Sequence, residues 1–349
     1  MKKRETFNFL YLAITVFVIF VLFSSFVFSQ TKQASEIYKD NDTITLIIPF
    51  SPGGGFDRLA RIIQPYWQDA ISELSGAKVN LIVKNVLGAG GVLGYKTMFE
   101  AQPDGKTIGM VGLAGAPFQQ LATKEFDLRQ FTQIGQANSE NNAVAVSVNS
   151  PFNNLQDMLN RSSQEPILFA TSGIGSADHT GPLIFQAILA ENGIEFNMDF
   201  VHYDGTSQAL LAIVKGEAEA IMDSTGAYHT MVRSGDVKVI SVFSSESDPW
   251  FPNVVTITEE KIPGADQIAN QIIGNIRCLV APPNTPEPIA TVLRKALEKS
   301  INNTELQKKC MDMEAPLSYA SPEMVAIKVD KLMELADQFS GIILPFYMK

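Results

Sequence analysis

The sequence predicts an α/β protein with largely parallel sheets, on three observations. Short apolar, strand-like runs alternate with helix-like segments almost throughout the 349 residues. Turn signals such as Pro103-Asp104-Gly105 and Gly264-Ala265 punctuate the series. Several of the runs lead straight into glycine-rich turns that open amphipathic helices, as Ile44 to Ile48 does into Gly53-Gly54-Gly55.

Taken in order, the strand candidates are 43–48, 79–84, 106–113, 143–148, 166–170, 198–202, 218–223, 237–243 and 275–281. Helices are expected between most of them. In the first, Leu59, Ile62, Ile63, Tyr66, Ala70 and Leu74 recur at three- and four-residue spacing and form one core-facing stripe. Pro65 lies inside that helix and cannot donate to the carbonyl of Arg61, so a kink is expected, at a cost of up to ~3 kcal/mol. The last long helix, about 321–339, opens on Ser321-Pro322-Glu323, an N-cap followed by proline at the first helical position.

A chain of this length usually splits into two domains. The polar stretch Ser139-Glu140-Asn141-Asn142 and the loop region 246–274 are the expected exchange points. One lobe would then comprise 43–139 plus about 265–349, the other about 140–264, with a cleft between them. The net charge is −10, and the scattered Lys and Arg form no basic, aromatic-interleaved stripe, which argues against a nucleic-acid partner.

The N-terminus carries a targeting segment. Lys2, Lys3 and Arg4 precede an apolar run from about Phe7 to Phe28, and the small residue Ser29 follows. These are the parts of a signal peptide over 1–29, with the body outside the cytoplasm. The run also reaches the ~20 residues that span a bilayer, so an uncleaved anchor over 7–28 is the alternative. Cys278 and Cys310 either pair or sit as two buried small hydrophobes; the second reading is favoured.

Ligand chemistry is concentrated in the turns. After the first strand come Ser51, Pro52, Gly53, Gly54, Gly55, Phe56 and Asp57. Glycines leave backbone N–H groups bare, and the helix N-terminus behind them adds unpaired donors and a positive dipole end, the chemistry of an anion receptor. Asp57 would orient this loop or cap its helix. A second turn, Gly88-Ala89-Gly90-Gly91, resembles a dinucleotide fingerprint, but its spacing to Gly94 is G-x-G-x-x-x-G and no acidic partner follows in context. A tight turn is the better reading, and no cofactor is expected.

A third turn, Thr171-Ser172-Gly173-Ile174-Gly175-Ser176, is donor-rich, and Pro182 suggests that its helix starts near His179 to Pro182. In a fourth, Tyr203-Asp204-Gly205-Thr206, Thr206 is a natural N-cap. His179 is a candidate for lining the cleft. Asp223 is either a carboxylate presented to the cleft or a capping residue at a turn. Catalytic signatures are missing: there is no G-x-S-x-G elbow and no G-K-[ST] loop, and His179, His202 and His229 lack a metal-binding spacing. The protein is therefore read as a non-enzyme without a metal.

The chain resembles the solute-binding proteins of tripartite tricarboxylate transporters, the Bug family. The matching residues are Ile48 to Asp57, Asn85 to Gly91, Pro103 to Thr107, Ala170 to Ser176 with His179, Tyr203-Asp204-Gly205, and Leu279 to Pro286, over residues 43 to 340. The resemblance implies a two-lobed periplasmic-binding-protein fold (Venus flytrap, type II-like) with a ligand cleft between the lobes. It implies a monomeric receptor that closes on a small carboxylate-type solute and delivers it to membrane permease subunits.

By the same comparison, backbone groups of Ser51 to Asp57 would hold a ligand carboxylate. The Thr171 to Ser176 loop and the Tyr203-Asp204-Gly205 turn would close from the other lobe, and the loop Gly112 to Ala116, with Ala114 and Gly115, would reach the cleft; Thr206 beside that turn is a further candidate ligand contact. Ala114, Gly115 and Ala116 stand where the family often has hydroxyl or Asn residues, so a tricarboxylate is not implied. Asp204 stands where a basic residue is common, which disfavours a second negative charge or favours an amine or amide. The alternatives are a nucleotide-dependent enzyme using the Gly88 turn and an anchored sensor input domain.

Overall fold

The computed structural model describes residues 37–272, 274–313 and 315–347. The N-terminal segment 1–29, with its cleavage point and possible anchor, lies outside the described residues. Among these, no helix is long and apolar enough to cross a membrane.

The chain enters on β1 (Thr43–Ile48), α1 (Gly55–Ser75), β2 (Asn80–Asn85), α2 (Val92–Phe99), β3 (Thr107–Gly112), α3 (Ala116–Thr123) and β4 (Thr132–Ser139). It continues through β5 (Asn142–Ser147), α4 (Leu155–Ser162), β6 (Ile167–Thr171), α5 (Ala177–Glu191), β7 (Met198–His202), α6 (Thr206–Lys215), β8 (Ala220–Ser224), α7 (His229–Ser234), β9 (Val237–Phe243) and α8 (Ala265–Gln271). It ends on β10 (Ile276–Ala281), α9 (Glu287–Ile301), α10 (Thr304–Asp312) and α11 (Pro322–Tyr347). The strands form two five-stranded sheets, ordered β2-β1-β3-β10-β4 and β7-β6-β8-β5-β9.

The sheets are mixed rather than largely parallel. β1 runs parallel to β2 and β3, and β6 to β7 and β8. β10 is antiparallel to β3 and β4, and β5 to β8 and β9. The antiparallel pairings all involve strands attached to the passages between sheets: β4 leaves the first sheet, β5 enters the second, and β10 returns. Helical crossovers enforce parallel pairing only inside each half.

The β4 strand has no counterpart among the predicted strands. Its sequence, TQIGQANS, alternates poorly because several of its polar side chains are buried with partners. Gln136 donates to the Ser318 carbonyl at 2.7 Å, and Asn138 to the Pro316 carbonyl at 2.5 Å.

The return to the first sheet also falls later than residue 265. α8 packs on α5, and Ile268 and Ile272 join the core of the second sheet. The crossing is at Gly274-Asn275. A Cβ at Gly274 would collide with the Glu140 carbonyl, so the two crossing segments lie in direct contact.

α1 runs unbroken through Pro65, which sits on its exposed side. Its buried stripe includes Leu59, Ile62, Ile63 and Ala70 as expected, but Trp67 is fully buried at its centre while Tyr66 and Leu74 are only partly covered. α11 is longer than its predicted span. Val325, Val329 and Met333 pack in a core of the first sheet, and Ala336, Phe339 and Ile343 in that of the second. Those extra turns make it a strap across both halves. Cys278 and Cys310 are free and buried.

Candidate functional site

The loop after β1 meets its requirements residue by residue. Gly53 has φ 80°, a left-handed conformation that favours glycine. Gly54 is the N-cap of α1. Gly55 leaves room for Arg277, whose Nη2 lies 2.9 Å from where a Cβ would stand.

Asp57 is buried and accepts hydrogen bonds from the Gly53 N–H (2.9 Å), the Asn85 Nδ2 (3.0 Å) and the Arg61 Nε (2.9 Å). Burial works against its charge, but Arg61, Gly53 and Asn85 together hold its carboxyl below the usual carboxylate range. Asp57 therefore organises the loop from behind. The N–H groups of Gly55, Phe56 and Asp57 open a 21-residue helix and have no acceptor among the described residues. Ser51 and Pro52 form the outer edge of the loop, with Pro52 exposed.

The facing loop after β6 satisfies its own donors. The Ser172 N–H and Oγ donate to Asp178 at 2.8 and 2.9 Å. The Gly173 N–H donates to the Thr171 hydroxyl, the Gly175 N–H to His179 Nδ1 at 3.1 Å, and the Ser176 N–H to the Gly173 carbonyl. Ser176 Oγ also reaches Asp178 and the Gly173 carbonyl. The backbone donors of Ser172, Gly173, Gly175 and Ser176, expected to face a ligand, are thus occupied within the loop in this structure, by the Asp178, Thr171 and His179 side chains and the Gly173 carbonyl.

His179, a candidate for lining the cleft, is 1% exposed, packs on Phe200 and His202, and serves as an acceptor for the loop. Burial, with the neighbouring His202, lowers its pKa to about 3, so the ring is neutral. α5 starts at Ala177, earlier than Pro182 suggested, and Pro182 lies inside its second turn.

The fourth turn also departs from expectation. Gly205 is the N-cap of α6, and Thr206 turns its hydroxyl to Asp223 at 3.1 Å instead of capping the helix. The Tyr203 hydroxyl points to Glu217 on the surface at 3.4 Å. Asp223 is 5% exposed and also accepts from the Ser224 N–H (2.7 Å) and Asn275 Nδ2 (3.1 Å).

The two halves touch across the cleft. Ser51 Oγ donates to the Asp204 carbonyl at 3.2 Å. A Cβ on Gly115 would lie 2.6 Å from the Gly175 carbonyl, and one on Gly90 would overlap the Ile174 carbonyl. The absence of larger or polar residues at 114–116 thus has a steric reason: Gly115 abuts the opposite loop, and Ala114 lines an apolar seam with Ala177, Gly181 and Ile184. Gln119 Nε2 spans the gap, donating to the carbonyls of Gly90 (2.7 Å) and Gly175 (2.8 Å). The Gly88 turn therefore takes part in this contact as a tight turn.

Sequence reasoning missed the buried ion pair against the first loop. Arg277 pairs with Glu140 at 2.9 Å, and both side chains are almost wholly buried. Its guanidinium also donates to Asn138 and stacks 5.0 Å above the Phe56 ring. Burial opposes charge on Glu140, but Arg277 outweighs it and holds the carboxyl below its ordinary value. Arg277 is a lone charge in the apolar strand Ile276–Ala281, and that exception was the signal available.

Asp178 is the other missed group. It is 1% exposed; burial first, and Asp223 second, raise its pKa to about 7. Burial raises Asp223 as well.

Comparison with known proteins agrees with this geometry. The profile of the family described as "Tripartite tricarboxylate transporter family receptor" matches residues 66–332. A UPF0065 protein of the tcbD-tcbE intergenic region of Pseudomonas sp. (strain P51) is 26% identical over 291 residues, 81% of each chain. The structure of the periplasmic binding protein BugD superposes with a TM-score of 0.74 at 23% identity, covering 88% of this chain and 99% of that one. MatC from Rhodopseudomonas palustris with bound malate gives a TM-score of 0.74 at 24% identity, covering 85% and 98%. With two mixed sheets meeting at a cleft and a profile match across most of its length, the chain belongs to the tripartite tricarboxylate transporter receptor family.

Proposed function

We propose that the protein is an extracytoplasmic receptor that captures a small carboxylate solute and hands it to the membrane permease of a tripartite tricarboxylate-type transporter, without covalent chemistry. The observation that carries this reading is the run of free N–H donors at Gly55, Phe56 and Asp57, at the start of a long helix facing the cleft. Malate bound to the structural relative MatC is the same class of ligand.

One lobe would comprise 43–139 with β10, α9 and α10, and the other 142–272, with α11 shared. Closure would rotate the halves about the crossings at Glu140-Asn141 and Gly274-Asn275. Asp57 holds the receiving loop, while Ser172, Gly173, Gly175, Ser176 and His179 stiffen the opposing one. The receptor would act as a monomer in the periplasm.

Calorimetry of the mature chain against mono-, di- and tricarboxylates, amino acids and aromatic acids tests the reading. Saturable binding of at least one carboxylate is expected. No binding across the panel, together with turnover of any member, would overturn it.

A further inference from the structure

Granting the receptor reading, we propose that the cleft admits a solute with a single carboxylate and discriminates against a second one, through Arg277 at the near end and a buried acidic wall beyond it. Arg277 is the one buried Lys or Arg among the described residues. Its Nε has no hydrogen-bond partner among the described residues, and its guanidinium lies against Gly55, beside the unpartnered N–H groups of α1. A buried donor without an acceptor is costly to leave unmade. A carboxylate placed there would receive the helix N-terminus beside the Arg277 guanidinium, whose Nη2 is the atom that faces Gly55.

The charge balance limits the site to one such group. Glu140 already neutralises Arg277 at 2.9 Å. Beyond that pair stand Asp223 and Asp178, both buried. The hydrogen bonds to Asp178 come from the Ser172 N–H and the Ser172 and Ser176 hydroxyls. Those to Asp223 come from the Ser224 N–H and hydroxyl, Thr206 and Asn275. No cation contacts either carboxyl within ion-pair distance among the described residues. A second solute carboxylate approaching this wall would enter the same desolvated, acid-lined setting that already opposes charge on Asp178 and Asp223, whereas an amide, a hydroxyl or an ammonium would bring no negative charge into it.

The test uses matched pairs of diacid and monoamide on three skeletons: malate with its monoamide, adipate with adipamate, and terephthalate with terephthalamate. Calorimetry at pH 7.5 on the mature chain should give at least about 30-fold tighter binding for the monoamide on the skeleton that fits. The double variant Arg277→Gln/Glu140→Gln, which removes both charges of that pair together, should weaken the monoamide about 10-fold or more, and Asp223→Asn should narrow the gap between the pair.

A diacid that binds as tightly as its monoamide overturns this inference and leaves the receptor reading standing. If neither member binds on any skeleton and the wider carboxylate panel is also silent, both fall. If only other panel members bind, the same comparison on the tightest of them, acid against amide, decides.

Discussion

The two loops that meet across the cleft share one device and use it differently. Each is a glycine-rich turn opening a helix, and in each an aspartate early in the helix reaches back to a loop N–H: Asp57 to Gly53 and Asp178 to Ser172. Asp57 has a cation, Arg61, and an amide, Asn85. Asp178 has hydroxyls and a second carboxyl, Asp223, nearby. The first loop is therefore fixed by a charge and keeps its helix donors free for a ligand. The second is fixed by using its own donors, and its aspartate tends to hold a proton near neutrality. Similar sequence patterns thus yield one receiving surface and one closing surface.

The largest expected effect comes from preventing the two surfaces from meeting. Gly115 has φ −107°, so a side chain there is tolerated by the backbone, and the obstacle is the Gly175 carbonyl across the cleft. Gly115→Val should weaken solute binding about 100-fold or more by opposing the closed state, while the free protein melts within a few degrees of wild type. Scattering should show no compaction of this variant on adding ligand. Compaction like that of wild type would remove Gly115 from the closure contact.

The next effect separates the aspartates by stability. Asp57→Ala leaves the Gly53 N–H and Asn85 without their acceptor and should cost about 2–3 kcal/mol in urea unfolding at pH 7. Asp178→Asn keeps an acceptor for Ser172 and relieves repulsion with Asp223, so it should be neutral or stabilising at that pH. Equal losses from the two variants would erase the distinction between the loops.

Their pH dependences should have opposite signs. The folded pKa of Asp57 lies below its ordinary 3.8, so its contribution is present above that value and is lost as the pH falls through the folded pKa. The folded pKa of Asp178, about 7, lies above 3.8, so its contribution is full below 3.8 and is lost as the pH rises through 7. The stability gap between wild type and Asp57→Ala should shrink below about pH 4. Asp178→Asn should gain on wild type between about pH 4 and 7 and run level above it.

Much of the fold was legible because strand–turn–helix units are local. Ile44 to Ile48, the three glycines and the stripe from Leu59 onward announce β1, the loop and α1 within a few residues of one another. Illegible features depend on partners distant in sequence. β4 reads as polar because Gln136 and Asn138 find their acceptors near residues 316 to 318. His179 and the Ser172 to Ser176 donors looked available because a sequence does not show that they bond to one another. Arg277 became meaningful only when Gly55, Phe56 and Glu140 were placed around it.

The smallest effect concerns the exposed rim. Ser51 Oγ reaches the Asp204 carbonyl at 3.2 Å across the cleft mouth, where water competes for both groups. A solvated neutral hydrogen bond adds at most about 0.5 kcal/mol, so Ser51→Ala should weaken binding only about twofold, through faster release. A buried hydroxyl touching the solute would behave otherwise, because its removal would leave a ligand group unpaired. Stopped-flow release rates for Ser51→Ala therefore distinguish a rim clasp from a ligand contact. A loss of tenfold or more would move Ser51 into the set of groups that hold the solute and extend the receiving surface beyond the helix N-terminus.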